Sequence, residues 1–215
     1  MASFESGKGV SDLFNIFGGV GRLVYAPTSI TYPTEITDIL SDPLTGVLAS
    51  GWTDFGATDG GITLTPSFDK EEWEVDQVNT PIDEFITKWN WSLETVLAES
   101  SLENLQVAWE GNTITTKDDT ASGLDERTVK FGSPSVTTRR VLALIQDKRV
   151  STASSEGRIR VYIFRRAAFN GAASSHELTK SAPAKIPIQF TLFSDTDITA
   201  DNEQVMYILD QVDDN

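Results

Sequence analysis

The stretch FITKWNWSLETVL, residues 85–97, decides the fold. Phe85, Thr87, Trp89, Trp91, Leu93, Thr95 and Leu97 make every odd position apolar or threonine. The even side carries Lys88, Asn90, Ser92 and Glu94, and turns apolar only at Val96 and Ala98. A period of two is the signature of a strand, and it predicts a long one, buried on one face and wet on the other. The strand then runs into a helix start. Ser100-Ser101-Leu102-Glu103 fits a capping box, Leu102, Leu105 and Trp109 supply the face predicted to pack, and Gly111 closes the helix.

Working outward, the flanks read as more strands. On the N-terminal side, Leu23-Val24-Tyr25 is a short strand ended by Pro27, and Thr31 to Leu48 reads as a loop carrying a short helix. Trp52 to Gly61 is a glycine-punctuated connection. Ile62 to Gln77 is a strand region with Trp73 and Val75 on one face and Glu72, Glu74 and Asp76 on the other. On the C-terminal side, residues 112–135 are polar and predict a long loop or insertion. Val141 to Ile145 is an unbroken apolar run, the pattern of a strand buried on both faces. Ile159, Val161 and Ile163 alternate, as do Ile186, Ile188, Phe190 and Leu192, where Pro187 marks an edge or a bulge. Val205 to Leu209 forms a last strand. Seven or so strands with one firm helix predict a mainly β protein, a β-sandwich or open barrel with one flanking α-helix.

The domain organisation follows from the same reading. Residues 1–19 form an N-terminal arm: glycines 7, 9, 18 and 19 bracket Val10, Leu13, Phe14 and Phe17, which fall at i, i+3, i+4 and i+7. That spacing gives a short helix with an apolar face, too short to be stable alone. Residues 20–210 form a single β domain, and 211–215 an acidic end.

Composition narrows the function classes. The chain of 215 residues has 32 acidic and 17 basic side chains, a net charge of −15, and no cysteine. Nucleic-acid binding through the overall field is excluded, since phosphate binding runs on Lys and Arg. Disulfides, thiolate metal sites and cysteine nucleophiles are excluded as well. No apolar run approaches the ~18–20 residues of a bilayer span, and Met1 to Gly9 lacks the pattern of a secretory signal. The expectation is a soluble chain made in a cytoplasm, with no membrane partner. The charges are also segregated. Residues 69–110 carry 11 acids and 2 lysines, residues 139–166 carry 8 bases and 2 acids, and residues 195–215 carry 7 acids and no base. Two readings stand side by side: acidic and basic strands pair within one subunit or are merely solvated faces, or the arginine region meets the acidic surface of a neighbour in head-to-tail assembly.

Parts for chemistry are missing. His176 is the sole histidine and sits in a Gly/Ala/Ser-rich stretch. It marks neither a triad nor a zinc site. Asp59, Asp69, Asp118 and Asp119 lack calcium-loop spacing, and glycines 18, 19 and 21 are not followed by a phosphate-cradling lysine. Glu72, Glu74, Asp76, Asp83, Glu84 and Glu94 offer enough carboxylates for a glycosidase pair, but so many acids generate a pair by chance. No catalytic residue, cofactor or metal site is expected.

Three blocks carry a resemblance: Gly51-Trp52-Thr53-Asp54-Phe55-Gly56-Ala57-Thr58-Asp59-Gly60-Gly61-Ile62, then Trp73-Glu74-Val75-Asp76-Gln77, then Thr95 to Leu105 around Ala98-Glu99. Together, over about residues 21–110, they resemble the major tail-tube proteins of long-tailed bacteriophages. That resemblance implies a ring-forming β-sandwich with a flanking helix. Hexameric rings, their inner strands joined in one barrel, would stack into the hollow tube that conducts DNA from capsid to host. The partners it implies are other copies of the chain, the tape-measure protein and the proteins at the tail ends, in the virion tail. Six chains of −15 give about −90 per ring, and a negative bore would let DNA pass without specific binding. The candidates to face that bore are Glu72, Glu74, Asp76, Asn90, Ser92 and Glu94. Candidates for contacts between subunits are Val10, Leu13, Phe14 and Phe17 of the arm and Arg139, Arg140, Arg158, Arg160, Arg165 and Arg166, with the 112–135 loop and the acidic end for contacts between rings. Another tail, neck or baseplate structural protein is the alternative, and a β-fold carbohydrate-active enzyme a more distant one.

Overall fold

The computed structural model describes residues 21–43, 45–73, 83–118, 125–132, 135–148, 158–171, 184–200 and 203–211. The arm at 1–19, Glu74, Asp76, His176 and residues 212–215 lie outside the described residues. In chain order the elements are β1 (Gly21–Pro27), β2 (Leu40–Asp42), β3 (Val47–Leu48), β4 (Thr53–Asp54), β5 (Thr58–Trp73), β6 (Asp83–Leu97), α1 (Leu102–Ala108), β7 (Thr115–Lys117), β8 (Glu126–Thr128), β9 (Arg139–Lys148), β10 (Arg158–Phe169), β11 (Ile186–Phe193) and β12 (Met206–Asp210). The expected mainly β architecture with one helix is what forms.

One antiparallel sheet dominates, in the order β4-β1-β9-β10-β11-β6-β5, with β12 pairing β10 beside that path. It is not a closed barrel. Three strands separate β1 from β6 in the sheet, yet Leu23, Phe55 and Leu93 share one apolar cluster with Val107 and Ala108 of α1. The sheet therefore curls over itself, sandwich-like, with the helix against its mouth. Phe190 sits at the centre, wholly buried, with its ring 5.8 Å from Phe55 and 6.2 Å from Phe169. An aromatic side chain in such a place contributes about 1.5–3 kcal/mol by burial alone.

A second apolar cluster covers the opposite face of β1, β9 and β10. The segment before β4 supplies its lid, through Ile36, Ile39, Leu40 and Trp52. The short helix expected there is one 3-10 turn, Ile36–Asp38, and the Trp52 indole donates to the Asp38 carbonyl at 3.1 Å. With a core on each side, β9 buries Val141 through Ile145 without a break, as the apolar run predicts.

Strand β10 forks. Its first half pairs β12 (Arg160↔Asp210 to Phe164↔Met206) and its second half pairs β11 (Arg166↔Phe193 to Phe169↔Phe190), with a bulge between Phe164 and Ala167. Because β11 meets β10 only from Phe190 onward, Pro187 lies where β11 has β6 alone beside it, and its missing N–H costs no ladder bond there.

Three sequence expectations are corrected. In β6 only Leu93, Thr95 and Leu97 of the apolar face are buried; Phe85 and Trp89 are about half exposed, because β5 and β6 outrun the core as a paired hairpin. In α1 the buried side chains are Asn104, Val107 and Ala108, whereas Leu105 is partly buried and Trp109 is the C-cap, 36% exposed. The cap itself is Ser101, whose hydroxyl accepts from the Asn104 N–H. The 112–135 segment is not a plain loop: it carries the β7–β8 hairpin. Arg127 pairs Glu103, the Asn112 side chain accepts from the Lys130 N–H, and the Phe131 ring packs edge-on against Trp109 at 5.4 Å.

Candidate functional site

The register of β5, β6 and β11 builds a continuous polar face. Glu94 lies between Thr63 and Gln189, Ser92 between Thr65 and Thr191, and Asn90 beside Ser67. Alternation sends Leu93, Leu97, Ile188 and Phe190 the other way, into the core. The face continues through Thr191↔Ala168 onto β10 and Ala168↔Arg139 onto β9. Its composition is mostly hydroxyl and amide. The Glu94 carboxylate accepts from the Gln189 amide, and the Arg139 guanidinium lies 4.3 Å from the Phe193 ring centroid. At the base of β5 a shallow depression of about 310 Å³ is lined by Asp59, Gly60, Gly61, Glu94, Pro187 and Gln189, with Asp59 ion-paired to Lys185.

Glu72 does not join that face. On β5 it shares parity with Ile62, Leu64 and Phe68, whereas the partners of Asn90, Ser92 and Glu94 are Ser67, Thr65 and Thr63. Lys70, on the Glu72 side, lies over the Phe68 ring and ion-pairs Glu84 at 2.5 Å. Of the six proposed channel residues, the structure thus brings together Asn90, Ser92 and Glu94 and puts Glu72 on the reverse side of the sheet.

That reverse side is an aromatic stripe. Ile62, Leu64 and Trp91 are partly buried against the core. Farther out, Phe68 and Trp89 pack at 5.0 Å, and the Trp89 and Trp91 rings stack at 6.3 Å. Phe68, Ile86 and Trp89 are 43%, 45% and 53% exposed, and they adjoin one another as a patch rather than standing singly on the surface.

The arginine-rich strands find acids and rings within the chain. Arg140 pairs Glu110 at 3.2 Å, Arg160 pairs Asp210 at 2.5 Å, and Arg166 pairs Asp195 at 2.7 Å and Asp197 at 3.0 Å. Arg165 is buried at the β10 fork, its guanidinium 4.8 Å from the Tyr32 ring centroid and 4.5 Å from that of Tyr207, while its Nε donates to the Glu203 carbonyl. The Arg158 side chain lies outside what is described.

Asp195, 2% exposed, is the anchor of this corner. It accepts from the Tyr32 hydroxyl at 2.5 Å, the Asp197 N–H at 3.2 Å and Arg166. Burial, the largest influence on its carboxyl, pushes the pKa up. The Tyr32 and Asp197 hydrogen bonds and the Arg166 and Arg165 cations together outweigh burial and hold it below the usual carboxylate range. Tyr207, desolvated beside them, has its hydroxyl pushed up to about 12, with Arg165 opposing the rise. Sequence reading missed this cluster because Tyr32, Arg166, Asp195 and Tyr207 are far apart in the chain and follow no motif. Only the opposite charges of the two segments hinted that they meet.

Among the described residues no group of three or more acidic or histidine side chains is placed to hold a metal, and no helix is long and apolar enough to cross a membrane. What the geometry defines is a β-sheet scaffold with one polar face, one aromatic projection, and Arg140, Arg160 and Arg166 paired to acids of the same chain. A family model described as phage tail tube protein matches residues 10–211. No curated protein matches the chain significantly. The chain belongs to the phage tail tube protein family, and so it is a structural component of the virion tail.

Proposed function

We propose that the chain forms hexameric rings whose stack is the hollow conduit for DNA, with the β5–β6–β11 polar face turned to the bore. The observation that carries this reading is the run of Thr63, Thr65, Ser67, Asn90, Ser92, Gln189 and Thr191 on the side of the sheet away from the core. Such a surface offers phosphates neither a cation row to bind nor an apolar wall, and Glu94 adds a fixed negative charge to it. Among the described residues no strand pairs the outer edge of β5, and pairing with a neighbouring subunit there would remove an exposed strand edge. In this assignment Arg139 is the arginine best placed for a neighbour, since the other described arginines in the region have acids or two rings as partners within the chain. The tape-measure protein inside the bore and the tail-end proteins at its mouths complete the set of partners.

Electron microscopy of the purified protein tests the assembly. Long hollow tubes support it; a lasting monomer or a single ring points instead to a neck or completion protein. The bore assignment has its own test: Asn90→Lys, Ser92→Lys and Glu94→Lys together leave tubes intact but slow DNA release from virions, and added salt relieves the defect. Unaltered release with the triple variant incorporated would remove these strands from the bore.

A further inference from the structure

We infer that Pro66 is the residue that keeps two copies of the chain from joining through their β5 edges, so that this edge accepts only a strand unlike itself. The inference stands on the pairing inside one subunit, independently of the ring and bore assignments.

The hazard lies in the hairpin. β5 runs for 16 residues, and among the described residues no strand pairs its outer edge. A second β5 laid antiparallel along that edge would keep the same faces together. Leu64 and Phe68 of one copy would then adjoin Phe68 and Leu64 of the other, and the aromatic stripe would run on across the pair. A long edge with an apolar face is a template for self-association.

One hydrogen bond fixes which way Pro66 points. The Ala98 N–H donates to the Ala57 carbonyl at 2.8 Å. Alternation then turns the backbone groups of the even-numbered residues of β6 toward β5 and those of the odd-numbered ones toward β11. Asn90, Ser92 and Glu94 therefore face Ser67, Thr65 and Thr63, whereas Trp91, opposite Pro66, addresses β11. The residues of β5 whose groups face outward are Ile62, Leu64, Pro66 and Phe68. Of these four, Pro66 has no N–H to give.

Its position matters as much as its direction. Pro66 leaves eight residues of β5 before it, 58–65, and seven after it, 67–73, so every longer self-paired register includes it. Two identical strands meet the gap twice, once from each copy, and leave two carbonyls without donors. The shorter registers are closed by other means. Before Pro66, Gly60 and Gly61, with φ +81° and +90°, form a bulge between Asp59 and Ile62. After it, the register centred on Lys70 sets Asp69 against Glu71 and Lys70 against itself. A strand of another sequence meets the gap only once and can begin or end beside it. β11 repeats the device: Pro187, opposite Val96, turns its nitrogen away from β6 where β10 does not reach.

The test is sedimentation of the dilute chain, below any concentration at which tubes form. A single introduced cysteine serves as reporter, since the chain has none of its own. Pro66→Thr restores the N–H without enlarging the apolar surface. It lowers the dissociation constant of a dimer by ~10–100-fold, the equivalent of two hydrogen bonds, with the far-ultraviolet circular dichroism unchanged. Ser67→Cys in that background oxidises to a disulfide-linked dimer, and Ser67→Cys alone does not. Pro66→Ala supplies the same N–H with a weaker strand preference and gives the same dimer less tightly. If both variants sediment as the parent does, the inference is overturned. A dimer that does not cross-link through residue 67 overturns it too, as does a parent chain that already cross-links there. Microscopy of tubes is scored separately, so failure of the ring reading leaves this result standing.

Discussion

Asn104→Ala isolates how α1 is fastened to the sheet. The Asn104 amide donates to the carbonyl of Phe55 and to that of Glu99, both at 2.9 Å, from a side chain only 3% exposed. Phe55 belongs to the glycine-punctuated connection before β5, and Glu99 to the link between β6 and α1, so one amide ties three segments together. Alanine removes two hydrogen bonds worth about 1 kcal/mol each and leaves at least one buried carbonyl without a donor, for an expected loss of ~2–4 kcal/mol. Ser101→Ala, which deletes only the helix cap, should cost ~1 kcal/mol. Urea unfolding of the unassembled chain, followed by circular dichroism, compares the two midpoints at an unchanged slope. If Asn104→Ala shifts the midpoint no more than Ser101→Ala does, the tie between the three segments is not energetic and the reasoning fails.

Glycine at two kinds of position gives a second comparison. Gly56 has φ +81°, and a Cβ there would lie 2.5–2.8 Å from the Glu99 carboxylate, which accepts from the Ala57 N–H. Gly61 has φ +90° with open space around it. Gly61→Ala should cost only the ~1–2 kcal/mol of the left-handed backbone, and Gly56→Ala measurably more in the same unfolding assay; equal losses would count against the clash. Acid titration addresses Asp195. A carboxyl held below its unfolded value stabilises the fold at pH above that value, about 3.8, and the contribution disappears as pH falls through the folded pKa. Asp195→Asn should flatten this part of the stability profile, and an unchanged acid limb would deny Asp195 its role. At the alkaline end Tyr207 acts with the opposite sense. Its hydroxyl, raised from 10.0 to about 12, stabilises below the unfolded value, and that share is lost as pH rises through this window. Tyr207→Phe should remove it; a variant that loses stability over the same window as the parent would deny Tyr207 its part.

What the sequence shows depends on which physical signal is local. Alternation in β6 announces a strand and its two faces, but it says nothing of depth: Trp89 and Leu93 look alike in the pattern, and only the hairpin's length beyond the core separates them. The side of Glu72 was within reach, because Ile62, Leu64 and Phe68 set the parity of β5. The tryptophan at 73 masks it by lying on the polar side at the strand's outer end. The helix face was misjudged for a different reason. Asn104 is polar, and its burial is paid by carbonyls of two other segments that no helical wheel contains. Arg140, Arg160 and Arg166 have acids at residues 110, 195, 197 and 210 as partners within the chain, which meet them in space only after the chain has folded back. The polar face itself was half legible, since Asn90, Ser92 and Glu94 show it on one strand, while the hydroxyls of β5 and β11 join it only through register.

The pairing of β1 with β9 also sets a clock. Gly21 lies opposite Gln146, and Leu23 and Val24 are buried by strands and side chains supplied from the later part of the chain. With those partners 125 positions apart in the chain and translation at about 5–20 residues per second, β1 waits roughly 6–25 s on the ribosome before β9 exists, with only the two-residue β4 to pair it in the meantime. A β partner that distant also lengthens the search that closes the sheet. Throughout that interval the nascent chain carries a strand with its β9 edge open, in the same cell where every sister polypeptide offers an identical one. Premature joining between half-made copies is thus a hazard built into the order of synthesis, and the rate at which β9 follows β1 out of the exit tunnel governs how long it lasts.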